Sequence, residues 1–597
     1  MNKVLLISLL ALITACDAEL PQRDPKGADA IDGIDMIHHV GVLAADDMRG
    51  RAPGSAGEDK TVKYLSEQFA AAGLDPGNGD SWTQDVPLVR ITASQTMAMH
   101  INPAVAARTE EFNEPADGEA QAESEPADNG QTASGQSPDQ AGDQEQKSDQ
   151  GNSFRFEYGR DMVAFTRRLQ PQVKLDNSEL VFAGYGIVAP EYDWNDYENL
   201  DVEGKTVVVL VNDPGFATQD SKLFNGNAMT YYGRWSYKYE EAARQGAAGA
   251  IIVHETDAAG YPWEVVTGSW SGEQFDLTGD VDEYRLPMQA WISRAAAEKL
   301  FAAGGKDYAK LKEQALQRDF QAQPLNQAVS ITIMNEIEEI TSKNVIAALP
   351  GDARVEETII YTAHWDHLGM DESKTDDPVF NGAVDNATGV AGLLELAQAF
   401  GSLDSPPDRT IVFIAVTAEE SGLLGSKWYA EHPVYPLEET VAVINIDSMN
   451  VYGPTSDVVV VGHGNSELEE YLARAAEEQS REIVPEEHPE RGYYYRSDHF
   501  NFAKHGVPAL YAESGSTYIG DNAEEAARRS AAYTEEHYHK PSDEYYDWWN
   551  LEGAIQDLQL YFAVGEELAN SEEFPNWYEG NEFRAAREES AAVRNEP

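Results

Sequence analysis

Carboxylate and imidazole side chains recur through the second half of the chain in short, separated groups. His364 stands two residues before Asp366, Asp385 ends the run Asn381-Gly382-Ala383-Val384, and Glu419 and Glu420 are adjacent. Asp447 stands alone, and His539 lies within His537-Tyr538-His539-Lys540-Pro541-Ser542-Asp543. Groups of this kind are costly to bury unless they are paired or bind metal. His364 and His539 with Asp385, Glu420 and Asp447 suit zinc, one carboxylate bridging two ions. Two ions about 3.5–4 Å apart can share a hydroxide nucleophile and polarise a carbonyl. A further carboxylate must then take the water's proton and pass it to the leaving amine. Adjacent glutamates can divide this labour, one binding metal and the other carrying the proton. The chemistry expected of these residues is metal-assisted hydrolysis.

The elements that must position them alternate in type. The pattern predicts strands at 358–363, 410–417, 441–446 and 507–512, and helices at 386–400, 422–432 and 467–479. Such alternation predicts an α/β fold with a mostly parallel central sheet and helices on both faces. Ligands bind such sheets beyond the carboxyl ends of the strands. His364, the Glu419-Glu420 pair and Asp447 each follow a predicted strand, and Asp385 just precedes a predicted helix.

The ordered set His-x-Asp, Gly-Ala-x-Asp-Asn, Glu-Glu, Asn-x-Asp and Tyr-His resembles the family-28 zinc metallopeptidases. These include bacterial leucyl-type aminopeptidases and glutamate carboxypeptidase II. The resemblance covers 34 to about 112 and 342–570, and it implies the zinc exopeptidase-like (phosphorylase/hydrolase-like) fold with two zinc ions. Cobalt or manganese are substitutes that the same ligands tolerate. By that resemblance His364 and Asp447 bind one ion, Glu420 and His539 the other, and Asp385 bridges them. The bond from Asp385 to Asn386 is implied to be a non-proline cis peptide. Asp366 receives a hydrogen bond from His364 and fixes its tautomer, Glu419 is the general base, and Tyr538 helps bind the oxyanion. The loop Arg496-Ser497-Asp498-His499-Phe500 also matches a recurrent family segment and is expected to support the pocket. His367 is left among the ordinary members of the 13 histidines.

The rest of the chain sets the context. At 597 residues it exceeds what one core organises, which predicts more than one domain. A net charge of −61 argues against nucleic-acid binding and for a strongly solvated surface. Lys3, the apolar run 4–13 and Ile13-Thr14-Ala15-Cys16 read as a lipoprotein signal over 1–16. Lipidated Cys16, the single cysteine, is expected to tether the protein to a bacterial membrane facing the periplasm, and Asp17 leans to the inner membrane. A polar spacer, 17–33, leads to an N-terminal part of the peptidase domain over 34–113. Residues 114–152 lack Val, Ile, Leu, Phe, Tyr and Trp, and are expected to be a disordered acidic insertion. Residues 175–323 resemble a β-rich protease-associated domain, 342–570 form the catalytic domain, and 571–597 are a C-terminal tail.

These expectations converge on an exopeptidase outside the cytoplasm with peptides as partners, an aminopeptidase ahead of a carboxypeptidase. The carboxypeptidase alternative stays open because Arg491 or Arg496 could receive a substrate carboxylate. A glutaminyl cyclase works with one zinc on the same fold, and a receptor-like scaffold would have lost its ligands. The oligomeric state is not fixed by the sequence.

Overall fold

Short runs of β-branched and other apolar residues form the strands that carry the metal-site groups. In the computed structural model, which describes residues 26–94, 97–104, 153–270, 272–278, 285–374 and 376–594, these runs become strands with long buried stretches. Cys16, Asp17 and the insertion 114–152 lie outside the described residues. The chain divides into two compact units. The first comprises the described residues of Met1–Arg90, Phe275–Val281 and Glu338–Pro597, the second those of Ile91–Gln274 and Asp282–Ile337.

In the first unit the strands are the end of β1 (Gln323–Leu349), β2 (Arg354–His364), β3 (Arg409–Val416), β4 (Thr440–Asn445), β5 (Asp457–Val460), β6 (Glu482–Pro485) and β7 (Ala509–Ser514). Their order is β1, β3, β2, β4, β7, β5, β6, with Asp75–Pro76 beside β1. The central pairs β3/β2, β2/β4 and β4/β7 are parallel, whereas β1/β3 and β5/β7 are antiparallel. Every residue of β3 and β4 is buried, which is why these strands read as continuous apolar runs rather than alternating ones.

The α-helices of this unit among the described residues are α1 (Gly33–Leu43), α2 (Ala56–Ala71), α3 (Gly389–Gly401), α4 (Leu424–Glu431), α5 (Leu468–Glu478), α6 (His499–Lys504), α7 (Ala523–Glu536), α8 (Glu552–Asn570) and, within the segment expected to be a tail, α9 (Arg584–Arg594). Helix α3 is buried on nearly all sides and is apolar apart from Glu395 and Gln398. It shares one core with α8, α1, α2 and the apolar residues of β2, β3 and β4. Helix α8 lies so close to β2 that a Cβ on Gly565 would fall 1.8 Å from the Tyr361 hydroxyl. Only glycine allows that approach.

Two predicted helices start later than the pattern suggests. Asp385 and Asn386 have non-helical dihedrals, so α3 begins only at Gly389, whose N–H the Asn386 side chain accepts at 2.9 Å. Gly422 and Leu423 are left-handed, at φ 108° and 61°, and delay α4 to Leu424. Among the described residues no helix is long and apolar enough to cross a membrane.

The second unit holds its own sheet, in which Gln172–Phe182, Thr206–Leu210, Gly249–His254 and Met288–Ser293 run parallel to one another. Ala98–Pro103, Phe154–Glu157, Met162–Phe165 and the start of β1 add antiparallel pairs. The strand that begins at Gln172 stops at Phe182. Gly184 and Gly186, at φ 57° and 65°, turn the chain there. The boundaries 175 and 323 expected for this domain fall inside the unit.

Candidate metal centre

Strand register builds half of the centre. Thr362 pairs with Asn445 and Asn445 with Tyr511 across the parallel strands β2, β4 and β7. Two residues further along β2 and β7 come His364 and Glu513, and Asp447 lies two residues past the end of β4. Because side chains repeat every second residue, this row continues the face that carries Thr362, Asn445 and Tyr511. The other half arrives on turns. Glu419 and Glu420 follow β3 through Ala418, a non-glycine residue at φ 53°. Asp385 lies in the tight turn Ala383–Thr388, and the Asp385–Asn386 peptide is cis. His539, at φ 58°, follows α7.

These residues meet. His364 Nε2 is 3.3 Å from Asp447 Oδ1 and 3.3 Å from Asp385 Oδ1. His539 Nε2 is 3.3 Å from the other oxygen of Asp385 and 3.0 Å from Glu420 Oε2. Asp385 therefore stands between two histidine–carboxylate pairs, its two oxygens facing opposite ways. Its carboxyl is held well below the usual range: burial opposes ionisation, but His364 and His539 outweigh it. Glu420 is lowered to about 2, burial again being outweighed by His539, Asp385 opposing and His367 assisting. Burial lowers His539, yet Glu420 and Asp385 raise it to about 11. Glu419 behaves in the opposite way. Burial pushes its carboxyl well above the usual range, His364 opposes, and the charges of Asp447, Glu420 and Asp498 add to the rise. One glutamate of the pair thus favours the anion and its neighbour favours the proton.

Neighbouring side chains fix the ligand loops. Asp543 accepts from the N–H groups of Val384 and Asp385 at 3.0 and 3.1 Å. Asn386 clasps Asp447 from both sides, donating to the Ile446 carbonyl and accepting from the Ser448 N–H. The Ser497 hydroxyl donates to Asp447 Oδ2 at 2.6 Å and accepts from Asn445. In the same loop Asp498 is buried, taking a bond from Ser426, and the His499 ring is packed between Tyr494 and Tyr511. Tyr538 stacks on His539 with ring centroids 3.9 Å apart. Arg496 is exposed, with its guanidinium over Tyr493.

Two expectations need correction. The bond from His364 Nδ1 goes to the backbone carbonyl of Asp366 at 3.2 Å, while the Asp366 carboxylate is 3.8 Å away. That carboxylate instead accepts from the Glu419 N–H at 3.0 Å, because the β3 turn brings a backbone donor closer than the imidazole. Burial pushes the Asp366 carboxyl up to about 8. The second correction concerns His367, which is not an ordinary surface histidine. It is buried, and its Nδ1 is 2.6 Å from Glu420 Oε1. The spacing of His364 and His367 in His-Trp-Asp-His was the available signal.

The donor set fits metal. His364, Asp385 and Asp447 form one group whose ligand atoms lie within 4.8 Å of one another, and His367, Asp385 and Glu420 form a second. His539 Nε2 is buried without a hydrogen-bond partner although two carboxylate oxygens face it. A cation between them would satisfy that nitrogen, and metal binding would displace the protons these histidines otherwise hold.

Part of the chain matches known proteins. Residues 344–563 match the model of Peptidase family M28. The mouse protein "Aminopeptidase NAALADL1" is 34% identical over 129 residues, 21% of this chain and 16% of that protein. "Aminopeptidase YwaD" of Bacillus subtilis (strain 168) is 38% identical over 93 residues, 15% of this chain and 18% of that one. The chain thus spans less than a fifth of the length of either relative. The solved aminopeptidase from Aneurinibacillus sp. strain AM-1 aligns over 92% of this chain and 97% of its own, at 20% identity and a TM-score of 0.48. The chain therefore carries a domain of peptidase family M28, and His364, Asp366, Asp385, Glu419, Glu420, Asp447, Tyr538 and His539 all lie within it.

Proposed function

We propose that the chain is a dinuclear zinc exopeptidase that removes N-terminal residues from peptides. The observation that carries this reading is Asp385, whose two oxygens face His364 on one side and His539 on the other. His364 and Asp447 would hold one ion, Glu420 and His539 the second, with Asp385 between. Zinc bound there would supply Lewis acidity at the scissile carbonyl and acidify the attacking water.

The chain's own groups supply the remaining functions. Glu419 as the carboxylate would take a proton from the attacking water and return it to the leaving amine, and burial raises its affinity for that proton. Asp366 accepts the Glu419 N–H and so holds that residue's backbone. The Tyr538 hydroxyl, kept protonated by burial and by the carboxylates of Asp385 and Glu420, is available to donate toward the developing oxyanion.

The free amino terminus is the favoured handle because Glu513, exposed on β7 two residues beyond Tyr511, is near enough to Asp447 for that charge, after burial, to help raise its carboxyl to about 7. The relatives named as aminopeptidases support the same choice. Arg496, whose charge reaches Tyr538, keeps a carboxypeptidase as the second reading. Export and a lipid anchor at Cys16 are proposed from the sequence, and the parallel strand–helix–strand order of the second unit supports a protease-associated domain.

A screen of aminoacyl and N-blocked peptide substrates, with zinc measured on the same sample, tests this. Two zinc ions per chain and cleavage only beside free amino termini are expected. Preference for blocked peptides would make it a carboxypeptidase, and one zinc with cyclisation of N-terminal glutamine a cyclase. Glu419→Gln should lower kcat by about 10²–10⁴-fold with zinc retained. Unchanged turnover would remove the assigned base.

A further inference from the structure

Arg51 lies outside the matched segment 344–563, yet it reaches the metal centre. Its side chain is 1% exposed. Arg49, Gly50 and Arg51 are all left-handed, at φ 54°, 64° and 52°. A Cβ on Gly50 would fall 2.2 Å from the Gly369 carbonyl oxygen, so glycine is required for the chain to pass. This bend, between α1 and α2, places the guanidinium against the loops that carry the ligands.

Four of its N–H groups are bonded there. Nε donates to the Trp365 carbonyl at 2.9 Å, and Nη2 to the Gly382 carbonyl at 2.9 Å. Nη1 donates to the carbonyls of Asn381 at 2.6 Å and Leu43 at 2.7 Å. Trp365 follows His364, and Gly382 leads through Ala383 and Val384 into Asp385. One planar group therefore ties the end of β2 to the turn of the bridging carboxylate. The Asn381 side chain reinforces the link by donating to the Ala44 carbonyl. Burial lowers the guanidinium to about 10, while Asp543, Asp366, Asp385 and Glu420 hold it up, so it stays a cation at neutral pH. Every hydrogen bond it makes goes to a carbonyl, and its charge serves the acid cluster as a whole. A lysine has no planar fork with which to span both loops.

We infer that Arg51 is a positioning residue of the metal centre, setting His364 against Asp385 and offsetting the carboxylate charge from beneath. The inference rests on the zinc peptidase reading above. Its test compares the full-length wild type with Arg51→Lys and Arg51→Ala. Zinc affinity is read by competition with a chromophoric chelator, thermal unfolding is followed without metal, and kcat and KM are measured separately.

Arg51→Lys should lose about 10–100-fold in zinc affinity and fall in kcat with KM little changed. Arg51→Ala should lose more and recover part of the affinity in millimolar methylguanidinium. If Arg51→Ala does not fold, Arg51→Lys decides alone. Wild-type zinc affinity and kcat in Arg51→Lys would overturn the inference, even with a lowered unfolding temperature, since that pattern belongs to a packing residue. A wild type that binds no zinc would overturn the functional reading and this inference together.

Discussion

Asp543 holds the backbone of Asp385: its two carboxylate oxygens accept the N–H groups of Val384 and Asp385, and the Tyr533 hydroxyl adds a third bond. A carboxylate that is only an acceptor matches two convergent N–H donors. In Asp543→Asn the amide NH2 must face one of them. The turn that aims Asp385 should loosen, and zinc affinity should fall about 10–100-fold, as for other groups that orient ligands. Chelator competition on the purified variant checks this; wild-type affinity would show that the turn holds without Asp543.

His367 bears on one metal position rather than both. Its Nδ1 contacts Glu420 at 2.6 Å, and it groups with Asp385 and Glu420 while His364 groups with Asp385 and Asp447. His367→Gln should weaken one of the two zinc equivalents by about tenfold or more and spare the other. Isothermal titration of the metal-free protein would resolve the two steps. Equal weakening of both would mean that His367 acts on the bridging Asp385 instead.

Glu513 should read the substrate's free amine. The Tyr511 hydroxyl donates to its Oε1 at 3.0 Å and lies 3.5 Å from the Asp447 carbonyl, which ties it to the edge of the centre. Glu513→Gln removes the charge and keeps the shape. KM for peptides with free amino termini should rise about tenfold, the loss of one charge-assisted hydrogen bond, with kcat less affected. Unaltered KM would place amine recognition elsewhere.

Glu58 gives a pH-dependent prediction away from the centre. Burial raises its carboxyl to about 7, against the Gly54 N–H it accepts. The folded state therefore binds more protons than the unfolded state between about pH 4.5 and 7, and the stability this residue contributes falls as pH rises through that window. Glu58→Gln should leave stability near pH 4 almost unchanged and raise it by about 3 kcal/mol above pH 7. Chemical denaturation at both pH values measures the difference, and an equal effect at both would rule out titration as the cause.

The sequence by itself determined the strands and the chemical types. Buried parallel strands need uninterrupted apolar runs, so β3 and β4 were legible within a residue or so at most ends. Carboxylates and imidazoles at the ends of such runs have few uses besides metal, so His364, Glu419, Glu420 and Asp447 stood out. The start of α3 and the reach of Asp366 were not legible, because both depend on which donor lies nearest after the turns close. Tertiary structure alone decided the supporting groups. Arg51 and Asp385 are more than 300 residues apart in sequence, as are Arg51 and Trp365, and no local pattern relates them. Their meeting depends on three left-handed residues in one bend and on the packing of α1 and α3 in a shared core. Glu513 was hidden for a similar reason, since only the folded chain brings the Tyr511 hydroxyl to both Glu513 and the Asp447 carbonyl.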